Sequence, residues 1–443
     1  MKILVISHMY PSSQNQAYGI FIHKQVRALQ EQGLEVKVIS PVPYAPWPLP
    51  ALKKKWRSYA ATPSQEIREG IEVYHPRYPE FPRSFLLQHS GYFMYLGIRS
   101  LVKRLAGEFR FDLIHAHVAL PDGHAAFLLK KEHRVPVVIT VHGQDFQSTI
   151  HRGEGPKARL TEVLNDADRI ITVSSKLKGL VQDQPYASKI AVINNGIDLQ
   201  DIGIAPGSKE AVYEPINQGL PSLLDAKDSK DAKAAKDTKE VKDAKAAKDT
   251  NKKGTFLEPG SKEIKLISVS NLKKTKGLDL NIQAVARLLR KYPNLTYYIV
   301  GEGEERPNLE SLVDKLQLRE HVVFLGRLDH PEALRQMASA DIFSLPSWQE
   351  GFGVVYIEAM AQGIPVIGVK GEGIEDVIIA GENGLLVNPQ DTEDLTQALD
   401  TLLSNPEYAE KLAQAGRETV SKGFTWEQNA VKTKALYQEL LST

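Results

Sequence analysis

The stretch DIFSLPSWQEGFGVVYIEAMAQGIPVIGV, residues 341–369, decides how this chain is read. DIFSLP is short and apolar and ends at a proline, as a buried strand does. VVYIEAMAQG carries helix-forming residues and closes on Gly363, which predicts a helix of about two and a half turns. PVIGV predicts the next strand. Strand, helix and strand in this order make one unit of a parallel sheet, with SWQEGFG as the loop at the carboxyl end of its first strand.

In open parallel sheets, ligands bind in the crevice beyond the carboxyl ends of the strands. A helix that starts there offers free N–H groups and about half a positive charge. Gly351 and Gly353 have no Cβ, so the backbone of Gly351-Phe352-Gly353-Val354 can come close to an anion. A bare phosphate would be repelled by Glu350, whereas a sugar phosphate gives both glutamates a use. Glu350 can accept hydrogen bonds from sugar hydroxyls, and Glu358, one to two turns into the helix, from a ribose. The plainer alternative makes Glu350 a solvated loop residue and Glu358 the partner of a distant lysine.

The same grammar extends outward in both directions. KILVIS (2–7), EVKVIS (35–40), DLIHAH (112–117), PVVITV (136–141), DRIITVS (168–174) and KIAVIN (189–194) are predicted strands, with helical patterns between most of them. It restarts at IKLISVS (264–270) and continues through LTYYIVG, HVVFLG, DIFSLP and PVIGV. Near-continuous apolar strands alternating with helices predict two α/β domains, each a doubly wound parallel sheet. The expected division is 1–204, a linker over 205–260, a second domain over 261–425, and a terminal helix over 426–443 that packs on one of the domains. Within the linker, DAKAAKDT occurs twice, and lysine recurs every third residue from Lys227 to Lys248. A period of three holds no face of a 3.6-residue helix, so 223–253 reads as a disordered insertion. The alternative is a lysine-rich tether to a partner, although its aspartates largely cancel the charge.

In SVSNLKKTKGLDL (268–280), a strand runs through a basic loop into a helix starting near Gly277. That puts Lys276 where it can neutralise a diphosphate, or else leaves it as a lysine in solvent. The chain has 443 residues and a formal net charge of +1, so nothing in its overall charge points to nucleic acid. It has no cysteine, which excludes disulfide and thiolate chemistry and fits a cytoplasmic setting. No apolar run reaches the length of a spanning helix. A metal on the diphosphate would call for a D-x-D pair; DAD occurs at 166–168, where Asp166 and Asp168 read as the end of a helix and the start of a strand. With a helix terminus and Lys276 supplying positive charge, no metal or other cofactor is expected.

Taken together, PSWQEGFGVVYIEAMAQGIPV and NLKKTKG resemble the retaining glycosyltransferases of family four, which have the GT-B fold, two Rossmann-like domains facing across a cleft. The likeness covers both halves and leaves out the insertion. Glu350 to Glu358 stands as that family's E-x7-E motif. Asn271 stands where the family commonly has an arginine, five residues before its lysine, which leaves the diphosphate one cation fewer. YPSSQNQAYGIFIHKQ (10–25) resembles the loop after the first strand, with Gly19 as the one glycine kept near the transferred group. VHGQDF (141–146) places His142 by the donor sugar. His117, in HAHVALPDG (115–123), and Asp145 are candidates for the acceptor. GEGIEDVI (371–378) matches a glycine-rich loop, and INNGID (193–198) reads as structural. The resemblance implies transfer of a hexose from a nucleoside-diphosphate sugar to a carbohydrate or lipid-linked hydroxyl, with retention of configuration, in cell-envelope or extracellular polysaccharide or glycolipid synthesis. Glu350, His142 and Lys276 are then the catalytic candidates. A sugar-nucleotide epimerase and a non-catalytic sugar-binding subunit are the alternatives of the same architecture. A glycogen-type phosphorylase would need a pyridoxal phosphate lysine and a longer chain. LKKKWRSY (52–59) and the segment 83–110 set Lys and Arg beside large apolar residues, which fits either peripheral contact with a membrane or a core helix with a basic outer face.

Overall fold

The computed structural model describes residues 1–80, 86–203 and 262–442. The expected linker and its repeat therefore lie outside the described residues, apart from the linker's neighbours on either side.

The first domain is built on an eight-stranded sheet. From one edge the strands are Ile190–Val192, Arg169–Thr172, Val137–Val141, Leu113–His117, Lys2–Ile6, Glu35–Ile39, Ile71–Tyr74 and Gln65–Arg68. Every neighbouring pair is parallel except the last, an antiparallel hairpin. That hairpin turns at Glu69 and Gly70, both with positive φ, and was not expected from the sequence. The second domain carries six parallel strands in the order Val322–Gly326, Leu295–Val300, Ile264–Val269, Ile342–Ser344, Val366–Val369 and Leu385–Val387.

Each sheet is covered on both faces, and the first strand shows how. Ile3 and Val5 join one buried cluster with the helix Ile20–Glu31, while Leu4 and Ile6 point to the other face and join the second cluster. Alternation along a strand thus serves two cores at once. On the second face lies the helix Ser90–Glu108, whose Met94, Ile98, Val102 and Leu105 are wholly buried. Its apolar stripe is spent on the core, so the interfacial reading of 83–110 does not describe that face. Tyr92 and Leu96 stand out on the opposite side. No helix among the described residues is long and apolar enough to cross a membrane.

The chain ends by returning to the first domain. The residue pair Ile197 and Thr425 forms a short parallel bridge, with Ile197 N–H donating to Phe424 and Trp426 N–H donating to Ile197. A Cβ on Gly196 would lie 2.3 Å from Thr425 backbone, so only glycine allows this crossing. The helix Trp426–Ser442 then packs against Ile20–Glu31, burying Trp426, Ala430 and Tyr437. Gln25 donates to Asn429 across 2.8 Å, and Tyr437 meets His115 at 2.6 Å.

In both sheets the strand order reverses direction beside the first strand of the domain. One such point lies between Lys2–Ile6 and Leu113–His117, the other between Ile264–Val269 and Ile342–Ser344. These are the places where loops diverge and leave a crevice.

Candidate functional site

At the second domain's reversal point, two loops meet. Ile264–Val269 leads through a short turn, Lys274–Lys276, into the helix Leu278–Leu288. Gly277 between them has φ 66°, and a Cβ there would lie 2.3 Å from the Pro346 carbonyl. Ile342–Ser344 leads into the loop of Glu350 and then the helix Val354–Ala361. Gly353 starts that helix with φ 90°, where a side chain would strike the Tyr356 ring. Trp348 N–H and the Ser347 hydroxyl both donate to the Thr275 carbonyl, at 3.0 and 3.2 Å, and this ties the loops together. Their charged tips pair: Lys276 Nζ lies 2.5 Å from Glu350 Oε2, with both side chains about four-fifths shielded. Asn271 is exposed at the start of the basic loop, Phe352 is buried against Phe424, and Val354 opens the helix.

Glu358 lies on the same helix, and its Oε1 is 2.7 Å from His330 Nε2. His330 begins the helix His330–Ala338, and it holds its proton more tightly than a free imidazole, because donation to Glu358 outweighs partial burial.

The first domain closes on the Glu350 loop from the other side. Val137–Val141 ends at His142, and a Cβ on Gly351 would lie 2.7 Å from the His142 carbonyl. Ser174 donates its hydroxyl to the Gly351 carbonyl at 2.6 Å. Lys176 forms an ion pair with Glu372, whose Oε2 also accepts the Glu350 N–H at 2.6 Å. Burial pushes the Glu372 carboxyl up despite Lys176 and the Glu350 amide. Asp376 Oδ2 accepts Ser175 N–H at 2.8 Å and Asn194 Nδ2–H at 2.7 Å. Ser174, Lys176, His330, Glu372 and Asp376 were not singled out from the sequence as site residues. Only GEGIEDVI, as a glycine-rich loop, drew attention to two of them.

The histidines form a buried column. His117 Nδ1 and His142 Nε2 are 3.0 Å apart with rings nearly parallel, and His115 stacks on His117 with centroids 4.4 Å apart. Burial pulls His142 and His115 down to about 3 and His117 well below its usual value, so all three are neutral at ordinary pH. His142 Nδ1 has no partner and is fully covered. His117 is itself wholly buried, enclosed between His115 and His142. Phe21 packs edge-on against His142, with centroids 4.9 Å apart. Gly19 starts the helix Ile20–Glu31 with φ 72°, and a Cβ there would meet the Met9 carbonyl at 2.1 Å. That contact gives the glycine a local reason to be small.

Asp145, three residues past His142, is 2 % exposed. Oδ1 accepts Ala119 N–H at 3.0 Å, and Oδ2 has no partner. Burial pushes this carboxyl up to about 7. Asp166 and Asp168 are remote from these loops. They bracket Lys130 at 3.5 and 2.9 Å, and Asp168 accepts Val137 N–H at 2.8 Å.

Comparison with known proteins agrees with this architecture. Residues 19–201 match the model of Glycosyltransferase Family 4, and residues 249–419 match that of Glycosyl transferases group 1. The chain is 27 % identical to TuaC of Bacillus subtilis (strain 168), named for a glycosyltransferase role in teichuronic acid biosynthesis, over all of both chains. It is 26 % identical to a glycogen synthase of Mycobacterium tuberculosis, covering 99 % of this chain and 94 % of the other. Among solved structures, sucrose-phosphate synthase of Thermosynechococcus elongatus superposes with a TM-score of 0.72 at 21 % identity, over 100 % and 99 % of the two chains. The catalytic domain of Arabidopsis thaliana starch synthase IV, bound to ADP and acarbose, gives 0.67 at 15 % identity over the same shares. The Anabaena protein HepE in complex with UDP gives 0.65 at 18 % identity, over 99 % and 100 %. Two parallel-sheet domains meeting at facing crevices define the GT-B fold. The two family matches, one on each half, indicate a family-four, group 1 enzyme: the chain is a glycosyltransferase.

Proposed function

We propose that the enzyme transfers a hexose from a nucleoside-diphosphate sugar to an acceptor hydroxyl, with retention of configuration, in the synthesis of an envelope or extracellular polysaccharide or glycolipid. One observation carries this reading: Lys276 and Glu350 meet at 2.5 Å beside the Gly353 helix start, where His142 of the other domain presses on the same loop. Cation and free N–H groups suit the diphosphate. Glu350, released from Lys276 by the incoming anion, suits the sugar hydroxyls, and Glu358 suits the ribose, with Asn271 and the backbone of Gly351 to Val354 alongside. His142 and the loop of Gly19 face the transferred sugar from the other domain, and Asp145 faces the acceptor.

In the step itself, the bond from the anomeric carbon to the departing phosphate oxygen breaks. The acceptor oxygen bonds to that carbon on the same face, and its proton passes to the departing phosphate. Negative charge grows on the diphosphate as the bond breaks, so preorganised donors and Lys276 act most strongly there. Closure of the two domains, latched through Lys176, Glu372 and Asp376, excludes water. The positive charges present supply what a divalent ion would, so the reaction needs no metal. A cytoplasmic enzyme touching the membrane periphery fits a lipid-linked acceptor: Trp47 is 87 % exposed, and Lys53, Lys54 and Lys55, close to it in the chain, are exposed too. UDP in HepE and ADP in starch synthase IV support a nucleoside diphosphate as leaving group. The polysaccharide roles in the names of TuaC and the glycogen synthase support the setting. The test is a mass-spectrometric screen of nucleotide sugars with and without a lipid extract. Sugar transferred to an extract component is expected. Isomerised donor with no transfer would favour the epimerase.

A further inference from the structure

The second domain places a charged pair, Lys276 and Glu350, on the two loops that flank its reversal point. The first domain does the same with different residues. His8 follows Lys2–Ile6, and Asp122 follows Leu113–His117, so they too come from the two strands at which the order reverses. Asp122 is wholly buried. Its oxygens accept the His8 backbone N–H at 3.1 and 3.2 Å, and Oδ2 lies 2.9 Å from His8 Nδ1. The carboxylate thereby fixes both the place and the tautomer of the ring: Nδ1–H donates to Asp122, and the Nε2 edge is left outward. That side chain is 26 % exposed.

The exposed edge meets a cavity of about 160 Å³ that opens beside the short helix Gln144–Gln147. Gln147 of that helix reaches the Glu350 carbonyl at 3.4 Å, so the helix that gives Gln144 and Asp145 to the cavity also touches the loop of Glu350. His8 also lines a second cavity, and Tyr78 and Glu80 line both. In the first cavity, His8, Asp145 and Gln144 face an apolar wall that includes Leu87, Phe93 and Pro121. Asp145 adds an independent sign of a ligand there: a carboxyl oxygen that is buried, lines the cavity and has no partner. Such a group costs free energy unless something fills its hydrogen-bonding capacity. Groups of both signs line this cavity, Glu80 and Asp145 with His8 and Arg152, and such a balanced polar lining suits the hydroxyls of a neutral polyol.

We propose that His8, positioned by Asp122, binds an acceptor hydroxyl through Nε2, so that this reversal-point cavity takes a neutral sugar ring whose apolar face lies on Phe93 and Pro121. The assignment rests on the transferase reading above and adds the acceptor's chemical class and the group that orients it. The proton of the attacking hydroxyl still leaves with the diphosphate, and His8 acts on alignment.

The experiment uses the full chain, with UDP-glucose, ADP-glucose and GDP-mannose as donors and octyl β-D-glucopyranoside as the acceptor probe. His8→Asn retains an amide nitrogen where Nδ1 bonds Asp122 and removes the outer edge. His8→Gln extends an amide to the place of Nε2. His8→Asn is expected to lower transfer to the glycoside roughly ten- to a hundredfold, mainly through the acceptor KM. Slow hydrolysis of the donor by water should be unchanged, and His8→Gln should recover part of the transfer. The His8 ring resonance, identified by its loss in His8→Asn, should move on adding the glycoside and stay in place on adding UDP alone. Wild-type acceptor KM in His8→Asn, or a ring resonance indifferent to the glycoside, would overturn the assignment. An equal loss of donor hydrolysis would also overturn it, by making His8 a donor-side or folding residue. A wild-type chain that turns over none of the three donors in either assay would instead overturn the transferase reading beneath it.

Discussion

Lys276→Ala should cost catalysis far more than binding. In the free protein this lysine neutralises Glu350 across 2.5 Å, with 18 % and 17 % of the two side chains exposed. Removing it leaves Glu350 beside the site of a leaving diphosphate with no counter-charge. In the ground state the diphosphate already has its negative charge, and the helix start at Gly353 still donates to it, so part of the binding survives. In the transition state an extra charge develops on the departing oxygen, and an ordered donor removed there costs about 2.7–4 kcal/mol, or 10²–10³ in turnover. Single-turnover kinetics with saturating donor isolate that step, and calorimetry with the nucleoside diphosphate reports the ground state. The expected outcome is a fall in kcat of roughly a hundred- to a thousandfold with a smaller change in Kd. A change confined to KM would refute the reasoning, since Lys276 would then act on bound substrate and transition state alike.

Glu358→Ala should weaken nucleoside diphosphate binding by about 1.5–3 kcal/mol, the range for a hydrogen bond to a charged group, which calorimetry reads as roughly ten- to 150-fold; unchanged affinity would remove Glu358 from the ribose. His330 should titrate above the ordinary 6.5 in the wild-type chain and fall back toward it in Glu358→Gln, as followed by its ring resonances. The stabilisation from that pair is complete below pH 6.5 and disappears as pH rises through the raised value, because the His330 imidazolium then gives up its proton; a His330 that titrates identically in both chains would contradict the contact. Activity should survive EDTA, and a total loss restored by magnesium or manganese would show that a divalent ion, not Lys276 and the helix start, carries the diphosphate charge.

Much of the fold was legible because each strand of the parallel sheets is an apolar run with its own boundaries. KILVIS and DLIHAH needed no knowledge of their neighbours to be recognised. The hairpin Gln65–Arg68 with Ile71–Tyr74 escaped notice because QEIR is polar and lies at a sheet edge, where no burial pattern marks it. Glu350, Glu358 and Lys276 could be placed around one reversal point because a glycine-marked helix start fixes where the backbone points. The partners of those residues could not. Lys176 with Glu372 and His8 with Asp122 join positions 196 and 114 residues apart, and contact at that separation leaves no periodic trace. The segment 83–110 shows the reverse: basic residues beside apolar ones matched an interfacial helix, yet the stripe of Met94, Ile98, Val102 and Leu105 has the spacing of any core helix. Composition alone does not tell the two apart.

The central claim is that the diphosphate of the donor binds at the Gly353 helix start between Lys276 and the loop of Glu350. A crystal structure with UDP, ADP or GDP bound tests it most directly. The expected result is diphosphate density within hydrogen-bonding distance of the first N–H groups of Val354–Ala361, with Lys276 turned from Glu350 to the phosphate and Glu358 against the ribose. Density for the nucleotide in the groove lined by Ile264, Pro365, Ala409 and Arg417, away from both loops, would contradict it.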